Sequence, residues 1–401
     1  MLSKKRLWIA VATVFCLAFL GGVPLAYSES PGVTKDSISI GMIQDLTGPG
    51  AYVGKQFADA AKVLFKHINN QGGINGRKLK LYIQDNRWDP VKTIAAAKYL
   101  ISRHNIFAIT DVFGSTATVS LFPLIMEKKI PTLLSSNHSS VMYIPQKKYV
   151  FTAITTSSDS AVLMVDYIVN DIKDRNPRLG ICYQDDEWGK DGLRGWEKAA
   201  KKYGFKVVGK ESFKRGSADF SSQVYNLRKS NPDYVYLIGI GPSALIMKEA
   251  YKIGWSPQFM ADQASAVFKV LELAGDAAKG FLVTGEYAIE DETVPGMVKL
   301  KKITNKYRPD IKRIDIFYTD SWVNILSLFE GLRRAGRDVT REGFVKALES
   351  FKKFETGGLA APITYGPDIR NGGGFGRILR ANTARVTYVP VTAWRKPSTA
   401  Q

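Results

Sequence analysis

Cysteine is nearly absent from this chain: two occur among 401 residues, Cys16 and Cys182. Cys16 falls in an N-terminal apolar run that reads as removed from the mature protein. One thiol then remains, and no intramolecular disulfide can form. Cys182 lies in Leu179-Gly180-Ile181-Cys182-Tyr183, a strand-like run that points to a buried side chain rather than a redox one. Histidine is equally scarce. His67, His104 and His138 are the only three, no two have metal-ligand spacing, and no cysteine cluster joins them, so no metal is expected. There is no Gly-x-Ser-x-Gly elbow of a hydrolase. Gly48 to Lys55 is a poor phosphate loop, because Pro49 replaces its first glycine and Gln56 its magnesium-holding hydroxyl. Adjacent acids such as Asp185-Asp186 read as solvated loop residues. Neither catalysis nor a cofactor is expected.

The N-terminus has its own pattern. Lys4, Lys5 and Arg6 precede an apolar run, Leu7 to Leu20, interrupted only by Thr13. Gly21, Gly22 and Pro24 break it, and Ala26-Tyr27-Ser28 supplies the small residues of a cleavage site. This is a secretory signal peptide over residues 1–28, too short for the ~20 apolar residues of a membrane span. No later stretch is apolar enough to span. The mature protein is expected to be exported, to the periplasm. Its length is that of two domains. The formal charge of +19 falls to +16 when the three bases at 4–6 are removed, since no acid leaves with them. The bases are scattered, as in Lys128-Lys129, Lys201-Lys202 and Arg333-Arg334, without any nucleic-acid-binding signature. No nucleic-acid partner is expected.

From residue 36 onward, short apolar strands alternate with amphipathic helices. Ile38 to Ile43, Leu79 to Gln84 and Ile106 to Ile109 read as strands. Between the first two, Val53, Phe57, Ala60, Ala61, Leu64, Phe65 and Ile68 recur at helical spacing, and Gly72-Gly73 ends that helix. Asp89-Pro90 starts the next. A second series begins near 150. Its strands are Leu179–Tyr183, Lys206–Val208 and Tyr234–Ile238, and its helices run over 190–203, 219–230 (capped by Asp219) and 243–253. Gly280 to Gly285 is a further strand. Helical patterns follow over 296–307, 317–335 and 341–350, and the tail holds short strands at Ile378-Leu379 and Val386–Val391. Alternating units of this kind predict an α/β fold with two doubly wound parallel sheets. Ligands of such sheets bind beyond the strands' carboxyl ends, here in the cleft between two domains.

The loops after the strands carry a family pattern. Leu46-Thr47-Gly48 is followed by Gly50-Ala51 and Gly54; then come Ile68-Asn69, Gly72-Gly73-Ile74, Gly76-Arg77 and Leu79; then Asp85 and Asp89-Pro90. The second half holds Asp185 with Trp188-Gly189, Asp219-Phe220-Ser221 and Pro232-Asp233. From about 36 to 395 the chain resembles the periplasmic branched-chain amino-acid-binding proteins, the type I solute receptors of ABC importers. The resemblance implies two lobes joined by three crossovers, 33–155 plus 284–362 and 156–283 plus 363–401. It implies a monomeric binding protein that closes on a small carboxylate or amino acid and is then recognised by the importer's membrane subunits. Presentation of the ligand to a separate signalling partner is the alternative use of the same fold.

By the same resemblance, Ser115 and Ser136 hold the ligand's carboxylate, His138 stands where the family has a threonine, and Trp188 closes from the other lobe. A helix read over 117–126 would add its amino end. Tyr52 and Phe113 are apolar walls. Two positions depart from the pattern: Ile240 replaces a tyrosine, and the acid that holds the ligand's ammonium aligns with Gln263, or with Asp262 after a one-residue slip. If Gln263 is the occupant, burying an ammonium without a counter-charge is disfavoured, and an apolar or aromatic carboxylate lacking an amine becomes the better ligand.

Overall fold

Residues 30–398 are described by the computed structural model; the signal-peptide reading falls outside them. Five strands form a wholly parallel sheet: β1 (Ser37–Gln44), β2 (Lys78–Asp85), β3 (Ala108–Val112), β4 (Thr132–Leu134) and β5 (Val150–Thr152), in the order β2-β1-β3-β4-β5. Seven form the other: β6 (Arg178–Gln184), β7 (Lys206–Phe213), β8 (Tyr234–Ile238), β9 (Gln258–Ala261), β10 (Leu282–Gly285), β11 (Arg377–Asn382) and β12 (Thr387–Pro390), ordered β12-β11-β10-β9-β8-β6-β7. The ladder from β7 to β10 is parallel, while β11 and β12 are added antiparallel.

Helices fill both faces. In the first unit these are α1 (Ala51–Asn70), α2 (Pro90–His104), α3 (Ser115–Val119) and α4 (Phe122–Lys128). The second holds α5 (Ser157–Tyr167), α6 (Glu187–Tyr203), α7 (Ser221–Ser230), α8 (Ile240–Lys252) and α9 (Phe268–Ala274). The expected apolar stripe of α1 is buried from Val53 to Ile68. Asp89 caps α2 by accepting from Lys92 N, with Pro90 in the first turn. Gly54 touches β1's end so closely that a Cβ there would stand 2.0 Å from Asp45 O.

Two local expectations are corrected. The helix read over 117–126 is two short helices, broken at Ser120-Leu121, because Pro123 starts a new first turn rather than continuing the old one. Asp219 accepts from Ser221 N, but the residue at the helix's N-cap position is Phe220.

After β10 the chain returns to the first sheet. Here α10 (Pro295–Tyr307), α11 (Ile316–Ala335) and α12 (Arg341–Glu349) are laid down. Phe65 meets Phe329 edge-on at 5.3 Å and Phe107 meets Phe344 at 5.6 Å, tying these late helices to early elements. Because β10 runs to Gly285 within the larger sheet, the crossover lies beyond 284. The chain thus passes between sheets at 153–156, at 286–294 and on the way from α12 to β11. The first and third passages are bound together: Asn371 accepts from Ile154 N (3.1 Å) and donates to Ile154 O (3.0 Å).

Candidate functional site between the two lobes

The carboxyl ends of the strands face one another across a cleft, and buried acids shape the loops there. In the first lobe Asp45 accepts from Gly48 N (2.6 Å) and Gly50 N (2.7 Å), folding the loop that leads into α1. Asp111, at φ 72°, accepts from Ser135 N (2.9 Å), Ser136 N (3.0 Å) and Gln44 Nε2 (2.7 Å). It thereby sets the 135–138 segment beside the end of β3. In the second lobe, Asp186 caps α6 by accepting from Gly189 N (3.1 Å). That cap puts Trp188 at the helix's leading turn, turned to the cleft.

Phe113, Ser115, Ser136, His138, Trp188 and Ile240 line one cavity. The free space within it is about 30 Å³, room for a water or two. A second pocket of about 300 Å³ adjoins it, lined by Tyr52 and sharing Val53, Trp88 and Ile240 with the first. Tyr52 donates to Asp315 Oδ2 (2.6 Å). Asp262 and Gln263 have different fates. Asp262 is fully buried, and its Oδ2 accepts from Trp188 Nε1 and Ser157 Oγ, both at 2.8 Å. Its Oδ1 has no partner among the described residues. Burial pushes its carboxyl up to about 6 against these hydrogen bonds and the His138 charge. Gln263 is occupied at both ends: it accepts from Ser160 Oγ (2.7 Å) and donates to Thr155 O (3.3 Å).

His138 is the cation of the cavity. Burial alone would lower its pKa, but the charge and hydrogen bond of Glu286 raise it to about 9. Nε2 meets Glu286 Oε1 at 2.7 Å, and Oε2 of Glu286 accepts from Thr155 N in the first crossover. Asp320 of α11 completes a buried group whose ligand-type atoms lie within 4.8 Å of one another, the arrangement that could hold a metal. The Tyr287 hydroxyl interacts with the Asp320 carboxyl. Burial and the Glu286 carboxylate hold the Asp320 carboxyl well above the usual range, against the His138 charge.

Other contacts hold the lobes together. Arg215 donates to Trp88 O (2.7 Å), lies 4.1 Å over the Trp88 ring and pairs with Asp186 at 3.0 Å. Asp191 accepts from Ser140 Oγ (2.5 Å), and Glu187 from Ser139 Oγ (3.1 Å). Sequence reasoning had not singled out Trp88, Arg215, Phe317, Glu286 or Asp320. Trp88 sits just after β2, where the strand-end rule points. Phe317 and Asp320 lie on a helix that returns from the far end of the chain, and no local pattern marks them.

The family described as "Periplasmic binding protein" matches residues 37–380. An "Amino acid binding protein" of Pseudomonas aeruginosa is 25% identical over 322 residues, 79% of this chain and 84% of the relative. Two solved structures share the fold at 23% identity and a TM-score of 0.83. One is a fatty acid ABC transporter substrate-binding protein from Thermomonospora curvata, with 92% of this chain and 95% of that one covered. The other is a branched-chain amino acid ABC transporter protein from Thermus thermophilus with bound valine, with 91% and 98% covered.

Proposed function

The chain belongs to the periplasmic binding protein family, and on that premise we propose that it captures a hydrophobic α-amino acid between its lobes for an ABC importer. The observation that carries this reading is a buried cation in one lobe and, in the other, a buried acid with an unmet oxygen that holds the Trp188 lining the aromatic cavity. His138, held as a cation by Glu286, and the Ser115 hydroxyl receive the carboxylate from the first lobe, beside Ser136, whose hydroxyl donates to Val112 O. Asp262, with one buried oxygen free behind Trp188, receives the ammonium from the second. Phe113, Trp88 and Ile240 enclose the side chain. Loading requires the lobes to part, turning on the three passages of the chain at 153–156, at 286–294 and between α12 and β11. The ligand bridges both lobes and shifts the population toward the closed form. That form is what the importer's membrane subunits recognise in the periplasm. The protein acts as a monomer and does no chemistry on its cargo.

The test is calorimetric titration of protein that has been unfolded and refolded to strip carried-over ligand. Leucine, isoleucine, valine and phenylalanine are expected to bind at least tenfold tighter than benzoate or phenylpropenoate. Removing one partner of a buried ion pair costs at least about 3 kcal/mol, a factor near 10². Tight binding of the acids lacking an amine, with none of the amino acids, would overturn the assignment of Asp262 and make the ligand an organic acid.

A further inference from the structure

A second cavity lies far from the cleft, entirely within the first lobe. It opens between α1, α10, α11 and the 354–359 loop, with about 330 Å³ of free space, within the range of small-molecule sites. Its floor is apolar: Leu64, Ile303, Trp322 and Phe329 are all buried in the lobe's core. Its mouth is charged. Lys299 and Arg333 stand on the rim, opposed by Glu355. Lys299 has no ion-pair partner among the described residues, and the contact of Arg333 with Glu330 is a long 3.6 Å. His67 reaches the same space from α1, and its Nδ1 is buried without a hydrogen-bond partner among the described residues. Burial and the charges of Lys299 and Lys306 lower the His67 pKa, so the ring is neutral when the pocket holds no anion.

The wall that closes the pocket is built, not incidental. Gly296 N donates to Gly357 O at 2.8 Å, and Gly357 and Gly358 adopt φ of 72° and 83°, which lets the loop turn directly over the start of α10. A Cβ at Gly296 would stand 2.6 Å from both Thr356 O and Leu359.

We propose that this cavity is a second ligand site, for an amphiphilic monoanion with an apolar chain of medium length and a carboxylate head. The chain lies against Trp322 and Phe329, where its burial contributes roughly 0.8 kcal/mol per methylene. The head meets Lys299, Arg333 and the free nitrogen of His67. The two sites differ in kind: the interlobe cavity is built from both lobes, with a buried acid behind its Trp188 wall, whereas this one offers an excess of positive charge within a single lobe.

Octanoate is the probe, titrated by calorimetry into the refolded full mature chain. Binding is expected in the wild type, and octanol is expected to bind at least tenfold more weakly. The variant Lys299→Glu/Arg333→Glu, which changes two exposed residues, is expected to lose at least tenfold in octanoate affinity while keeping its thermal unfolding temperature. Leu326→Trp, which fills the space from a partly exposed position, is expected to abolish binding. His138→Ala, in the interlobe cavity, is expected to leave it unchanged. Loss of octanoate binding in His138→Ala would assign that binding to the cleft and overturn the proposal. So would full affinity in the rim-reversed variant, or no octanoate binding to the wild type at millimolar concentration. Only the loss in His138→Ala also bears on what the cleft captures, and the cleft titration tests that separately.

Discussion

Asp111 and Asp262 occupy comparable places. Each is a fully buried acid where a strand ends at the cleft, one in each lobe. Asp111 is saturated: two backbone N–H groups and the Gln44 amide occupy both its oxygens. Asp262 is not. One oxygen holds Trp188 and Ser157, and the other has no partner among the described residues. A saturated buried acid shapes a loop. An unsaturated one costs stability and persists where a ligand completes it. The first lobe therefore contributes a rigid, prearranged rim, and the second contributes the group whose bonding is unfinished.

The comparison can be broken. Asp111→Ala leaves the Ser135 and Ser136 amides and the Gln44 side chain without their acceptor. Leaving buried donors unsatisfied costs about 1–3 kcal/mol each. Urea unfolding should show that loss, together with loss of ligand binding as Ser136 and His138 move; retention of both would mean that the rim is not set by Asp111.

Asp262→Asn should act in the opposite sense. The folded carboxyl titrates at about 6 against an ordinary 3.8, so its ionisation opposes folding. The penalty is absent below pH 4, grows as pH rises to 6 and is complete above it. The Asn variant should therefore match the wild type at pH 3.5 and exceed it at pH 7.5 by up to about 3 kcal/mol, while losing amino-acid affinity. Thermal unfolding across that range measures it. A less stable variant at pH 7.5 would make the two acids equivalent.

The smallest effect is expected at Glu286→Gln. The raised pKa of His138, about 9, keeps its charge through neutral pH; that charge and the stability it brings are full below 6.5 and are lost as pH rises through 9. Without Glu286, burial lowers the imidazole instead. Ligand affinity of the variant should fall roughly tenfold between pH 6 and pH 8, about one factor of ten per unit of pKa energy lost, while the wild type holds constant. Calorimetry at the two pH values distinguishes this from a general loss of structure, which would not depend on pH in that way.

Much of the architecture was legible in the spacing of its apolar residues. The stripe of α1 and the alternation of β1 announce themselves, and the boundaries of Tyr234–Ile238 agree with the structure. Short elements, and a helix without a polar face, were not legible. The helix α5 is covered on almost every face and shows little amphipathic contrast, and β4 and β5 have three residues each. The candidate site divides the same way. Residues on strand-end loops, such as Ser136, His138 and Trp188, follow from the pattern of loops. The partner that gives His138 its charge, Glu286, stands 148 positions away in the chain. Choosing between Asp262 and Gln263 needed side-chain directions, which sequence spacing does not give.

The crossings of the chain also govern the order in which the molecule can form. The five-stranded sheet is complete by Thr152, yet the helices α10, α11 and α12 that cover it arrive only after residue 294. The seven-stranded sheet likewise waits for β11 and β12 at the far end. Neither lobe can bury its core until almost the whole chain exists. Contacts between such distant segments slow folding, because long loops must close before any contact rewards them. A nascent chain ending at residue 290 would hold two finished sets of early strands and two uncovered apolar surfaces. Such a chain would expose apolar surface that only its later helices and strands cover.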